Sequence, residues 1–164
     1  MSLSFHPLTP VDWPSIAEIY RQGIATGNAT FETKVPEWPV WDQSHHEKCR
    51  LIVMSDGEVS GWAALIPVSK RSVYSGVAEV SIYIAVRFRG SGLGKLLLEK
   101  LVRESEKEGF WTLQASIFPE NGASLKIHKD LGFREVGFRE RIAEMNGTWR
   151  NTVLLERRSA LNGK

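Results

Sequence analysis

The apolar positions change period several times along the chain, and each change marks an element. Ile16, Ile19, Tyr20 and Ile24 recur at helical spacing behind Thr9-Pro10-Val11-Asp12. A capping threonine, a proline at the first helical position and an acid in the first turn predict a helix from about Pro10 to Gln22. Residues 26–41 are rich in breakers and aromatics, among them Gly27, Pro36, Trp38, Pro39 and Trp41, and suit a loop with a short second helix starting near Glu37. Apolar runs at Arg50–Met54 and Val59–Val68 flank Asp56-Gly57, a turn pair that predicts an antiparallel hairpin. A third strand, Ala78–Val86, is rich in Val, Ile and Tyr and stops where Arg87-Phe88-Arg89 leads into Gly90, Gly92 and Gly94.

After the glycines the period becomes helical again. Leu93, Leu97 and Leu101 fall at four-residue steps with Leu98 and Val102 beside them, Lys100, Arg103, Glu106 and Lys107 take the other side, and Gly109 ends the helix. Thr112–Phe118 is a strand, and Asn121 caps a short helix that carries Leu125, His128 and Leu131 on one side and closes at Gly132. From Phe133 to Arg158 the chain reads as strands around Asn146-Gly147, with Thr152–Glu156 the clearest. An antiparallel front, a strand-helix-strand centre and a final strand pair predict one α+β domain over residues 1–164 rather than a pure parallel sheet.

Composition narrows the partners. A length of 164 residues fits one domain, and folding such a chain hides roughly 70% of the surface it would otherwise expose. The balance of 21 Lys and Arg against 19 Asp and Glu leaves a net charge of +2, too small and too mixed for a nucleic-acid surface. Cys49 is the only cysteine, so no intramolecular disulfide and no multi-cysteine zinc site can form; a reducing compartment and no metal are expected. Without an apolar span of membrane length or a leader-like start, the expectation is a soluble, cytoplasmic protein with no membrane partner.

The glycine segment Arg89-Gly90-Ser91-Gly92-Leu93-Gly94-Lys95 carries the strongest chemical signal. Between a strand and a helix, φ-permissive residues let backbone approach a ligand, and the unpaired amides of a helix start favour an anion. The dinucleotide fingerprint fails because the third glycine comes one residue early, with Lys95 in its place, and no acid lies about 20 residues beyond. The nucleotide-triphosphate loop fails because Arg89 stands where its first glycine belongs and Leu96 follows the lysine, leaving no hydroxyl for magnesium.

What remains is Arg/Gln-x-x-Gly-x-Gly/Ala, met by Arg89, Gly92 and Gly94, and it resembles the pyrophosphate-binding motif of the GNAT superfamily of acyl-CoA N-acyltransferases. Asn121-Gly122-Ala123-Ser124, His128 and Leu131-Gly132-Phe133 look like that superfamily's second cofactor segment. Ala29-Thr30-Phe31-Glu32, Glu79-Val80-Ser81-Ile82-Tyr83-Ile84 and Gly147-Thr148-Trp149 resemble the branch that acetylates phosphinothricin and methionine sulfoximine, although Val80 stands where histidine is common. The resemblance implies a mixed, twisted sheet of about six to seven strands flanked by helices. It also implies acetyl-CoA as co-substrate, a small amine acceptor and a homodimer.

The same resemblance distributes roles. Glu79 would deprotonate the acceptor amine as general base, while backbone amides of Ile82, Tyr83 and Ile84 would hydrogen-bond the pantetheine arm and face the thioester oxygen. Arg89 to Lys95 and Asn121 would hold the cofactor. His128 stands where many members have a tyrosine, and its imidazolium would protonate the departing thiolate, since a reference pKa of about 6.5 lies below the roughly 8.5 of a thiol. For the acceptor, Lys70 and Arg71 offer cations suited to a carboxylate or phosphinate, and Phe31, Glu32, Val80, Ser81 and the Trp149 region would wall its pocket. His45-His46 has no partner cluster and is expected at the surface. Other acceptors compatible with the residues are a polyamine, an aminoglycoside or a protein N-terminus, and a non-catalytic acyl-CoA sensor would keep the loop without needing Glu79.

Overall fold

Strands β1 (Leu3–Pro7), β2 (Leu51–Ser55), β3 (Glu58–Pro67), β4 (Val77–Ile84), β5 (Thr112–Ile117), β6 (Arg134–Met145) and β7 (Thr148–Arg158) form one sheet in the order β1-β2-β3-β4-β5-β7-β6 in the computed structural model, which describes residues 1–164. All neighbours are antiparallel except β4 and β5. Helices α1 (Trp13–Ala25) and α2 (Trp38–Ser44) cover one face, and α3 (Leu93–Lys107) and α4 (Gly122–Asp130) the other. No helix is long and apolar enough to cross a membrane.

β3 shows why its sequence is a continuous apolar run. Ala63 and Leu65 pack with Leu97, Leu98 and Leu101 of α3, while the intervening Trp62 and Ala64 pack with Ile16, Ile19 and Trp41 on the other face. A strand buried on both sides has no polar face to alternate with. β4 divides in the same way: Ala78, Val80, Ile82 and Ile84 join the α3 core, so Glu79, Ser81 and Tyr83 share the face under α1 and α2.

Two elements have other boundaries than the sequence predicts, and one strand is absent from that reading. Pro10–Asp12 is a single 3-10 turn, with the Asp12 carboxylate accepting from Thr9 N at 2.8 Å, and α1 then runs on to Ala25. β4 ends at Ile84, and a 3-10 turn at Val86–Phe88 turns the chain into the glycines. Strand β1 carries no signal in the sequence; it is a five-residue edge strand that depends on the register Leu3↔Ser55 to Pro7↔Leu51 with β2.

Gly23 on α1 lies directly over the Tyr83 ring, where a Cβ would come within 2.6 Å of Cδ1. The helix can approach the strand only because this residue has no side chain. Gly23→Ala is expected to destabilise the protein by about 1–3 kcal/mol through overpacking, read as a lower urea midpoint at unchanged m-value.

Candidate active site

The parallel pairing of β4 with β5 covers only Val77↔Thr112, Ala78↔Leu113 and Glu79↔Gln114. Beyond Glu79 the two strands separate, so alternate backbone groups of Val80 to Ile84 lose a strand partner on that edge and are free for another chain-like molecule. Two cavities open along this gap.

The first, of about 500 Å³, runs from Ile82, Tyr83 and Ile84 to the glycine segment, with Arg89, Gly90, Gly92, Gly94, Lys95 and Asn121 in its lining. Gly90 and Gly92 have φ of 76° and 84°, a region that disfavours any residue with a Cβ, and a Cβ at either would meet nothing within 4 Å. They are glycines for conformation and for open space. Gly92 is the N-cap of α3, and Leu96 N is the first amide to bond back, to Gly92 O at 3.3 Å; the amides of Leu93, Gly94 and Lys95 point out of the helix start. Arg89 Nε donates to Ile84 O at 3.3 Å, and Lys95 Nζ donates to Asp130 Oδ2 at 3.4 Å. Two cations and a helix N-terminus make this an anion-binding cradle suited to a pyrophosphate.

The second cavity, of about 510 Å³, holds Glu79, Val80, Ser81, Phe31, Glu32 and His128 in its wall. Gln114 Nε2 and Ser116 Oγ both donate to Glu79 Oε1, at 3.2 and 3.3 Å. That pair fixes the carboxylate's rotamer through one oxygen and leaves Oε2 for a ligand. The strand register explains the arrangement: Gln114 lies across from Glu79, and Ser116 is two residues further along the same face.

Residues 26–37 connect α1 to α2 without regular structure, and they wall both cavities. Arg150 of β7 fastens them: Nη1 donates to Gly27 O at 2.8 Å, Nη2 to Asn28 Oδ1 at 2.9 Å, and the guanidinium lies 4.1 Å from the centre of the Phe118 ring. Phe118 in turn meets Phe31 edge to face at 4.9 Å. Asn121 completes the fastening, since Oδ1 caps α4 at Ser124 N while Nδ2 donates to Asn28 O, both at 3.2 Å.

Two histidines line the second cavity in the same protonation state. His128, 1% exposed, donates Nδ1–H to Ser124 O at 2.8 Å, and His45, 8% exposed, donates Nδ1–H to Trp41 O at 2.8 Å. Each Nε2 is a buried lone pair without a partner. Burial pushes His128 below its ordinary pKa and His45 down to about 4. Both are neutral at physiological pH, where the unfolded chain also has neutral histidine. As pH falls from about 6.5 towards 4 the unfolded chain takes up protons that the folded one refuses, so stability falls, by on the order of 3 kcal/mol for His45 alone. Thermal melts should record that decline, and a His45→Asn variant should show a shallower one.

The structure brings some of the expected site residues together and sets others apart. His45 is a core residue stacked 4.1 Å from Trp41, not a surface one. His128 is a buried ring whose Nδ1–H is engaged by Ser124 O, and burial favours its neutral form over the imidazolium. Leu93 places its side chain in the α3 core and offers the cradle only its amide. Ser91 is exposed, turns its hydroxyl to Phe88 O at 2.6 Å and lies outside the cavity lining. Lys70 and Arg71 are likewise exposed and outside both linings, the Arg71 guanidinium lying over Tyr74. Gln114, Ser116 and Arg150 carry no site signal in the sequence, because only the pairing of distant strands brings them to the site. Cys49 is an inert thiol, raised by burial to about 12.

Residues 13–133 match the Acetyltransferase (GNAT) family. YwnH of Bacillus subtilis is 37% identical over 141 residues, 83% of this chain and 86% of its own. The L-methionine sulfoximine/L-methionine sulfone acetyltransferase of Pseudomonas paraeruginosa is 29% identical over 162 residues, covering 95% of this chain and 94% of that one. The crystal structure of a GNAT superfamily phosphinothricin acetyltransferase from Sinorhizobium meliloti in complex with AcCoA superposes with a TM-score of 0.88 at 28% identity, over 99% of this chain and 90% of that chain.

Proposed function

The chain belongs to the acetyltransferase (GNAT) family and is an acetyl-CoA-dependent N-acetyltransferase, and from that premise we propose that it acetylates the α-amino group of an amino acid analogue such as phosphinothricin or methionine sulfoximine. The observation that carries this reading is the junction of the two cavities. Asn28, Ala29, Ile82, Tyr83, Asn121 and Ser124 line both, so a donor lying in the glycine cradle and along β4 meets an acceptor beside Glu79.

In this reading the amides of Leu93, Gly94 and Lys95, with the Arg89 and Lys95 side chains, hold the pyrophosphate, and Asn121 holds the adjoining arm. The unpaired backbone groups of Ile82 to Ile84 take the place of a sheet partner for the pantetheine, and one amide faces the thioester oxygen as charge develops there. Glu79, fixed by Gln114 and Ser116, takes the proton that the acceptor ammonium must lose. Once the amine has bonded to the acetyl carbon, its remaining excess proton goes to the sulfur that leaves. His128 lines the acceptor side as a neutral group. Much of the rate comes from holding amine and thioester together.

The domain takes in all of residues 1–164: the family match ends at 133, but β7 lies between β5 and β6 in the sheet. A homodimer fits the outer hairpin, where Phe138, Ile142 and Trp149 are exposed apolar side chains, and sedimentation equilibrium reads its mass directly. A cytoplasmic setting fits the single, unreactive cysteine. The acceptor class is tested by supplying acetyl-CoA with zwitterionic amino acid analogues and, separately, with polyamines, an aminoglycoside and an N-terminal peptide. Turnover confined to the cationic or peptide acceptors would overturn the reading.

A further inference from the structure

Arg150 lines neither cavity, yet it holds the wall that the two share. β5 pairs with β7 only as far as Ile117↔Val153, so Arg150 lies past the end of β5, beside Phe118 and Glu120. It shares a face of β7 with Thr152, a buried residue of the acceptor cavity two positions on. The hairpin is bent at this point. Glu140, Arg141 and Ile142 stand opposite the single residue Asn151, Arg141 takes a φ of 45°, and its N–H donates to Asn151 Oδ1 at 2.7 Å. A bulge of this kind bends the strands and re-aims the side chains beside it, of which Arg150 is one.

The guanidinium is 15% exposed, and its ion pair with Glu120, 3.5 Å away and itself 55% exposed, contributes little. Its main partners are neutral: Gly27 O, Asn28 Oδ1 and the face of Phe118. Only a planar fork meets two such acceptors at once while lying on a ring. The loop needs that hold, because from Ala29 to Pro36 no backbone group bonds to the rest of the fold; Glu32 N bonds to Thr30 Oγ1 within the loop, at 3.1 Å. Attachment of the main chain therefore falls on Gly27 and Asn28, from Arg150 and from Asn121, and Phe31 is seated on the same Phe118 ring that carries the guanidinium. Asn28 and Ala29 line both cavities, and Phe31 and Glu32 line the acceptor one.

We infer that Arg150 is a positioning residue for acetyl transfer, which through Gly27, Asn28 and the Phe118–Phe31 contact fixes the wall common to donor and acceptor. It touches neither molecule and acts through residues that line the sites of both. For the donor the inference needs only the acetyl-CoA chemistry of the family; for the acceptor it rests on the amino acid reading above.

The test compares wild type with Arg150→Met, which keeps an unbranched apolar stem against Phe118 and removes the fork. Calorimetric titration gives the affinity for acetyl-CoA and the number of sites, and steady-state kinetics with methionine sulfoximine give kcat and both KM values. The expected result is an acetyl-CoA affinity about fivefold weaker, an acceptor KM raised by a similar factor and a kcat at least about tenfold lower, with the number of sites unchanged. Fewer sites at wild-type affinity, with kcat falling only as the folded fraction falls, is what plain destabilisation gives, and it overturns the inference. An effect confined to one of the two substrates overturns it as well, since the wall is common to both. Should Arg150→Met fail to fold, Arg150→Lys keeps the charge without the fork; the same changes at smaller size uphold the inference, and wild-type values overturn it. If wild type binds acetyl-CoA but leaves the acceptor unmodified, the amino acid reading has failed, and the acetyl-CoA titration decides this inference alone: weaker binding in the variant upholds it and unchanged binding overturns it.

Discussion

Glu79→Gln is expected to lower kcat/KM by about 100-fold near neutral pH while leaving acetyl-CoA affinity unchanged. Glutamine keeps the shape and still meets Ser116 and Gln114, but it cannot take a proton. Glu79 lines the acceptor cavity and not the donor one, which is why binding of acetyl-CoA should be spared. Activity should not vanish, because an α-amino group with a reference pKa of about 7.7–8.0 is already partly neutral and positioning still operates. The sign of the pH effect follows: the variant relies on free amine, so its rate climbs as pH rises through the amine's pKa, and its profile moves to the alkaline side of wild type. Steady-state kinetics across pH, with a separate titration of acetyl-CoA, checks both parts. An unchanged rate would remove Glu79 as the base.

The second large effect is expected at the helix start. Gly92→Asp should weaken acetyl-CoA binding on the order of 100-fold, through loss of charge-assisted contacts and repulsion of the pyrophosphate. Aspartate is chosen because it separates ligand from fold. It tolerates a positive φ better than most residues, it favours a helix N-terminus, and nothing lies within 4 Å of the Cβ it would add. Its carboxylate would occupy the amides that the anion needs. Calorimetric titration with acetyl-CoA should therefore show the loss while the melting temperature changes by only a few degrees. Wild-type affinity in the variant would mean that the cradle does not hold the pyrophosphate.

How far the sequence reveals this molecule depends on whether a feature is local. The glycine loop is local: strand, three glycines and the leucine-lined helix follow one another in the chain, and the cavity with Arg89 and Lys95 lies where that order puts it. The α3 and β3 faces are equally plain, because burial on one or both sides leaves a period in the residues themselves. Strand β1 is different. Five residues at a sheet edge exist as a strand only through β2, some 45 residues away, and no pattern within them records that partner.

The site divides along the same line. Glu79 announces itself at the start of a strand that feeds the loop, but the groups that hold it, Gln114 and Ser116, come from β5 and are visible only through the register. Arg150 reads as one more charge on a hairpin until its guanidinium is seen fastening Gly27 and Asn28, more than 120 residues earlier. His45 and His128 mislead for a related reason. A histidine's charge is set by what surrounds it, and both are neutral because the ring is buried, which outweighs the Nδ1–H bond to a carbonyl in their own helical turn that favours the charged form. Lys70 and Arg71 show the reverse: their chemistry suits an anionic acceptor, and the loop that carries them leaves them exposed and outside the cavity lining.

The most direct measurement of the account is the reaction itself, with purified protein, acetyl-CoA and methionine sulfoximine. Free thiol is followed by a colour reagent, and the acceptor is examined by mass spectrometry. The expected result is thiol release that requires the acceptor, matched mole for mole by acceptor carrying one acetyl group on its α-nitrogen, and suppressed in both Glu79→Gln and Gly92→Asp. Thiol release that ignores the acceptor, or no acetylated product from folded protein with any amine supplied, would contradict it.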